Sequence, residues 1–310
     1  MRTPDAEAGW LYEAAGVRPL PERVLLKVVG DDAATWINGQ VTQDVRALTP
    51  GSSAYGLVLH VRGKILSDVH VLNRGARGLA LLTARANLEA VMAHLDHHVI
   101  MEDVALEADA ETAVLTVQGP RAAEVVASLP ALESYAADRL GRGGFDVLVA
   151  SDAVARVQAS LVAAAEALGG GAVSEEGWTL ARLRAGWPAL FSDFGESTYP
   201  QEAGLTARAV SFTKGCYLGQ EVICMLENRG QLSRRLVQLD AHGALAPGAS
   251  LFDAQGGLVG EVTSAVSDGE GRTRALGFAK RALAVPGAAL HGGSPGADGV
   301  VVQVVAPVGA

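Results

Sequence analysis

The stretch SFTKGCYLGQEVICMLENRG, residues 211–230, concentrates chemistry that the rest of the chain avoids. Of four lysines and two cysteines in 310 residues, Lys214, Cys216 and Cys224 all fall within it. Gln220, Glu221 and Arg229 stand alongside. Cys216 follows a lysine by two residues and has glycines on both sides, so it reads as a thiol open to cationic influence and close backbone approach. Such surroundings favour reactivity. The competing reading is a buried cysteine acting as a small hydrophobe. Cys224, set among Val222, Ile223, Met225 and Leu226, reads as core. The two thiols are eight residues apart, about 12 Å along a helix or about 26 Å along a strand. Only a hairpin could bring them within bonding range.

The composition is that of a folded chain, with 49% hydrophobic and 19% charged residues. No apolar run reaches the roughly 20 residues that span a bilayer. The first ten residues are acidic and lack the basic-then-apolar plan of a signal peptide, so the cytoplasm is the expected location. A net charge of −9 disfavours a generic nucleic-acid binder. A local groove stays open, because 21 of the 25 cations are arginines. Two cysteines are too few for the four protein ligands of a lasting zinc or iron–sulfur site. If iron–sulfur chemistry is involved, this chain assists it rather than housing a cluster.

Upstream of the quoted stretch, RVLLKVVG (23–30) reads as a buried strand, with Asp31 or Asp32 capping a short helix. Residues 56–72 are two β-rich runs hinged at Arg62-Gly63-Lys64, which predicts a hairpin. Residues 78–84 supply another strand, and Leu88, Val91, Met92, Leu95 and Val99 predict an amphipathic helix over 86–99. Residues 112–119 and 145–150 read as strands. Pro120, Asp152 and Ser174 each open a helix, and Gly169 ends one. After about residue 232, short β-rich runs alternate with Gly, Pro and Asp turns, predicting a small β-barrel or sandwich. Strands and helices without regular βαβ alternation favour an α+β fold.

Several motifs are absent or weak. HVRGKI lacks the flanking residues of a Walker loop, and GRGGFD (141–146) does not complete a dinucleotide fingerprint. His94, His97 and His98 have a spacing that permits metal ligation, although a solvated polar face is the more ordinary reading. His60 and His70 read as sheet residues. Asp68 interrupts an apolar strand: if it faces inward it must be paired or serve a ligand, and if outward it is unremarkable. Glu202, in the loop YPQEAGL, could accept hydrogen bonds from a ligand's N–H groups, or could be a surface carboxylate.

The run KGCYLGQE (214–221) followed by Arg229-Gly230 resembles the signature of the YgfZ-type folate-binding proteins. These are relatives of the glycine-cleavage T-protein that assist iron–sulfur enzymes. WINGQVTQDVRALTPGSSAYGLVLHVRGKILSDVHVL (36–72), VQGPRAAEVV (117–126), LARLRAGWP and YPQEAGL fall in the family's order, so the resemblance covers most of residues 23–285. It implies an α+β, T-protein-like fold of two interleaved subdomains, residues 1–50 with 113–232 and residues 51–112. A C-terminal β-barrel, residues 233–310, completes a central folate channel. It implies tetrahydrofolate or a one-carbon derivative as cofactor. Asp68 and Cys216 would be the reactive groups, with Cys216 at the channel rim. Glu202, Lys214, Tyr217, Gln220, Glu221 and Arg229 would be cofactor-binding residues, and the partners would be iron–sulfur client or assembly proteins. A folate-dependent one-carbon transferase, such as an aminomethyltransferase, is the alternative it offers, with Asp68 orienting or protonating the amine. A binding module whose cysteine is only a docking contact is a third. Two departures stand out: Met225 occupies a place where relatives carry arginine, and Arg184 one where T-proteins carry a pterin-binding glutamate.

Overall fold

The computed structural model describes residues 3–230, 232–267, 271–296 and 299–309. From the N-terminus, α1 (Pro4–Glu13), β1 (Gly16–Pro19) and β2 (Arg23–Val29) lead into α2 (Ala33–Gln40). The hairpin β3 (Ser53–Leu59) and β4 (Ile65–Asn73) is followed by β5 (Leu79–Ala84), α3 (Leu88–Asp96) and β6 (Ala105–Asp109). Next come β7 (Thr112–Gln118), α4 (Ala122–Ala127), β8 (Glu133–Ala136), β9 (Gly144–Ala150), α5 (Val154–Glu166), β10 (Gly171–Ala172) and α6 (Glu175–Ala185). A long irregular segment carries α7 (Thr206–Ala209) and α8 (Gln220–Arg229). The remaining strands are β11 (Arg234–His242), β12 (Ser250–Phe252), β13 (Leu258–Ser267), β14 (Arg272–Lys280), β15 (Ala289–Gly292) and β16 (Val300–Pro307).

Two five-stranded sheets, in the orders β10-β1-β7-β9-β8 and β3-β4-β5-β2-β6, precede a closed barrel ordered β11-β14-β13-β12-β15-β16. Closure removes the edges that so short a set of strands would otherwise expose. The first 50 residues contribute a strand to each open sheet, β1 to one and β2 to the other. The β3-to-β6 sheet buries one face under α2 and α3, where Val58, Val69 and Val71 meet Trp36, Ile37, Val91 and Leu95. Its opposite face meets the other sheet at one end, through Leu25, Leu72 and Leu82 against Val114 and Leu148. At the other end Leu57, Leu59 and Ile65 pack against Ala203, Leu205, Tyr217 and Ile223. The middle of that face is left to polar residues.

Local signals read well. The hairpin turns where Arg62-Gly63-Lys64 lies, and Ser174 caps α6 by accepting a hydrogen bond from the Gly177 amide. Four details differ from the sequence reading, the first being that Asp152 does not cap α5, which begins at Val154 without a side-chain cap. Asp32 does not cap α2, because its carboxylate accepts from the Asp103 amide instead. The helix expected over 86–99 stops at Asp96, and the Trp36 indole N–H then binds the His98 carbonyl. Pro120 precedes α4, which begins at Ala122.

Candidate functional site

Strand register decides where Asp68 points. Tyr55 faces His70, and Leu57 faces Asp68, across the β3–β4 ladder. Cross-strand partners share a face, and so do residues two apart. Tyr55, Asp68 and His70 therefore all project from the face left to polar residues. Asp68 is 4% exposed. Its carboxylate accepts two parallel bonds from Arg23, at 2.7 and 2.9 Å, and one from the Tyr55 hydroxyl at 3.3 Å. Burial pushes the carboxyl pKa up, but the Arg23 charge and hydrogen bonds, helped by Arg139 and Tyr55, outweigh it and hold it below the ordinary value. Asp68 is thus an anion at neutral pH. It can hold or orient a positive group, and it has no proton to give.

Asp68, Arg23 and Arg139 line a cavity of about 150 Å³ walled by Trp178 and Trp187. Arg139 is itself neutralised by the fully buried Asp146, through bonds of 3.0 and 2.5 Å. The cavity continues, past Trp178 and Arg182, into a wider groove of about 620 Å³ that runs to the barrel at Thr263 and Ser264. His70 stands behind Tyr55, with ring centroids 5.0 Å apart, and the Tyr55 ring lies 6.1 Å from that of Trp187. His70 is 3% exposed, and its Nε2 has no hydrogen-bond partner. Burial first, then the charges of Arg139 and Arg23, push its pKa well below the ordinary imidazole range. It is accordingly neutral. A buried polar atom left unpaired in an otherwise satisfied cluster calls for an explanation.

Glu202 is buried, but apart from this cavity. Its Oε2 accepts from the Tyr199 amide at 2.9 Å, and its Oε1 from Arg234 at 3.2 Å. Lys64 lies 3.7 Å from Oε2 while donating to the Ser197 carbonyl and standing 3.3 Å over the Tyr199 ring. The Glu202 carbonyl also accepts from the Leu236 amide at the start of the barrel. This carboxylate ties the irregular segment to the barrel, and both of its oxygens are engaged by protein donors.

The KGCYLGQE loop divides its residues between two tasks. Lys214 turns inward and is 5% exposed. Its ammonium donates to the carbonyls of Asn38, Val41 and Gln43 at 2.5, 2.8 and 2.8 Å. These groups lie at the C-terminal end of α2, where unpaired carbonyls favour a cation. Burial pulls the lysine pKa down to about 8, against the nearby Asp44 carboxylate. With its three donors engaged, Lys214 serves α2 rather than the thiol two residues on. Tyr217 is buried in the cluster around Leu57 and Ile65, and its hydroxyl is unpaired. Gly219, at φ +82°, begins α8, and any side chain there would meet the His60 carbonyl at 2.9 Å. That close approach seats the loop on the β3–β4 turn.

Cys216 is exposed. It lies in a groove of about 420 Å³ with Gly39, Val61, His98, Gln220 and Glu221. This groove and the Asp68 cavity share no lining residue, so the thiol stands on a surface of its own rather than at the cavity rim. Cys224 is a half-buried free thiol on α8, and Arg229 is exposed at the end of that helix. Both departures lie outside the cavity: Met225 is 54% exposed on α8, and Arg184 pairs with Asp5 at 2.5 Å. The histidines form a string: His60 to His94 at 5.5 Å, His94 to His98 at 4.9 Å, His98 to His97 at 5.3 Å. Among the described residues no three His, Cys, Asp or Glu side chains are placed to hold a metal ion. No described helix is long and apolar enough to cross a membrane.

Nothing in the sequence marks Arg23 or Trp187 as neighbours of Asp68. His70 was within reach of the two-residue period, and Tyr55 within reach of the hairpin register.

Residues 5–140 match the model of the GCVT N-terminal domain. The chain is 27% identical over 245 residues to the tRNA-modifying protein YgfZ of Yersinia pestis (strain Pestoides F), covering 74% of this chain and 72% of the relative. The protein of that name from Serratia proteamaculans (strain 568) is 27% identical over 250 residues, with the same coverage. Among solved structures, the glycine cleavage system aminomethyltransferase T from Bartonella henselae superposes with a TM-score of 0.81 at 22% identity, covering 98% of this chain and 88% of that one. That last likeness is one of fold. The matched domain, the relatives and the fold agree: the chain has the glycine-cleavage T-protein fold and is similar in sequence to the YgfZ proteins.

Proposed function

We propose that this protein binds a reduced folate in the Asp68 cavity and acts as an accessory in iron–sulfur cluster assembly or repair. The observation that carries the folate half is the anionic carboxylate of Asp68 in a cavity walled by Trp178 and Trp187. A ligand bearing N–H donors and a flat ring fits that carboxylate and the tryptophan walls. The cavity is small beside the roughly 300–1,000 Å³ of typical ligand sites. It suits the ring end of a folate, while the adjoining groove suits the rest. When bound, the folate supplies a carrier of one-carbon units. The chain's own residues orient it: Asp68 holds positive or N–H groups, and Trp178 and Trp187 flank the ring.

Calorimetry with tetrahydrofolate tests this directly. The wild type binds, and Trp187→Ala binds about tenfold more weakly for want of an aromatic wall. Absence of binding by the wild type refutes the folate reading.

The accessory half rests on Cys216, an exposed thiol in a groove separate from the folate cavity. A group so placed meets a partner protein without obstructing the ligand. The relatives' name speaks of tRNA modification. In this reading the client is an enzyme that modifies tRNA, since a chain of net charge −9 lacks the footprint to hold tRNA alone. In a deletion strain, Cys216→Ala is expected to leave iron–sulfur enzyme activity unrestored although the protein folds and binds folate. Full restoration would remove the thiol from the mechanism.

A further inference from the structure

Among the described residues one non-glycine residue, Phe191, adopts a positive φ, at +67°. An L-residue with a bulky side chain is strained there, because its Cβ crowds the following carbonyl. The surroundings enforce the conformation. The Phe191 amide donates to the Phe194 carbonyl at 2.8 Å, and Leu190 bridges to Phe194. Next to this turn, Asp193 is clamped by Arg182 at 2.6 Å, by the Ala189 amide at 2.9 Å and by Thr263 of the barrel at 2.5 Å. A turn fixed from three directions can hold a residue in a conformation it would not choose.

The ring that this strain presents is not used by the fold. Phe191 is 55% exposed, although it is large and apolar. It lines both the Asp68 cavity and the groove leading away from it. Strain and exposure at one residue are both unfavourable to the free protein. Strained backbone of this kind collects where a ligand is held.

We propose that Phe191 is a ligand-positioning residue whose ring stacks on the flat heteroaromatic ring of the folate bound beside Asp68. The inference rests on the folate reading above, and adds to it the group that closes the open side of the cavity. Stacking needs only a π-face on the ligand, so the residue selects for a planar ring over aliphatic one-carbon donors.

The test uses the full chain and reads stability and affinity together. Phe191→Gly is expected to raise the melting temperature of the ligand-free protein by about 2 °C, since glycine accepts positive φ without strain. The same change is expected to weaken tetrahydrofolate binding about tenfold, and Phe191→Trp to preserve it. Opposite signs in stability and affinity are the signature of a strained ligand contact. If Phe191→Gly binds as tightly as the wild type, or melts lower, the ring has no such role. A wild type that fails to bind tetrahydrofolate overturns the folate reading and this inference together. Loss of effect confined to the variants overturns the inference alone.

Discussion

Replacing Lys214 by methionine is expected to lower the unfolding free energy by at least about 3 kcal/mol. Methionine matches the length and apolar stem of lysine, so the packing is retained while the ammonium is lost. Three buried carbonyls at the end of α2 then lack a partner, and each buried acceptor left unpaired costs about 1–3 kcal/mol. The loss also removes the cation from the negative end of the helix, which adds a few tenths to about 1 kcal/mol. Urea denaturation measures it as a lower midpoint at unchanged slope. The effect separates two roles for this residue. A lysine that met the ligand would, on replacement, weaken folate binding and leave the midpoint where it was. The geometry makes the opposite pattern the expected one: much lower stability, with the protein that remains folded binding normally.

Asp68→Asn is expected to cost about 3–5 kcal/mol, because it leaves the Arg23 guanidinium buried against a neutral amide. An asparagine can accept one of the two Arg23 bonds but brings no charge. The pH dependence follows from the depressed carboxyl pKa. The unfolded chain binds the Asp68 proton more readily than the folded one, so this pair stabilises the protein fully above the ordinary carboxyl pKa near 3.8. That stability is lost as pH falls through the lower folded value. Wild type and Asp68→Asn therefore differ by a constant amount from about pH 5 to 8 and converge below about pH 4. Denaturation midpoints across that range check the sign, and a gap that widens on acidification would contradict it. The same anionic state bears on the choice between accessory protein and one-carbon transferase. A transferase would use Asp68 to orient an ammonium, since the carboxyl carries no proton to donate at neutral pH. Formation of methylene-tetrahydrofolate from an aminomethyl donor, abolished in Asp68→Asn, would favour the transferase.

Much of the architecture was legible in the chain. The two β-rich runs in 56–72 and the turn at Arg62-Gly63-Lys64 specified the hairpin, because such residues suit strands and a turn needs only local chemistry. Ser174 specified a helix start for the same reason, since its hydroxyl reaches an amide three residues on. Turn-separated β-rich runs after 232 specified a barrel or sandwich, and the structure closes it into a six-stranded barrel. The expected helix over 86–99 ran long because apolar spacing continues to Val99 while the backbone has already turned to meet Trp36.

The KGCYLGQE run by itself carried the resemblance to a family, since that order of residues is specific, and it singled out Cys216 as the thiol to watch. What it left undecided is where each charged side chain goes. Lys214 finds its carbonyls 171–176 residues away, Asp68 its arginine 45 away, and Glu202 its arginine 32 away. A buried charge is tolerated only where a distant element supplies its counterpart, and that depends on how sheets, helices and barrel come together. The tertiary structure therefore decided that Lys214 anchors a helix, that Glu202 anchors the barrel, and that Asp68, Trp187 and Phe191 line one cavity while Cys216 faces another surface.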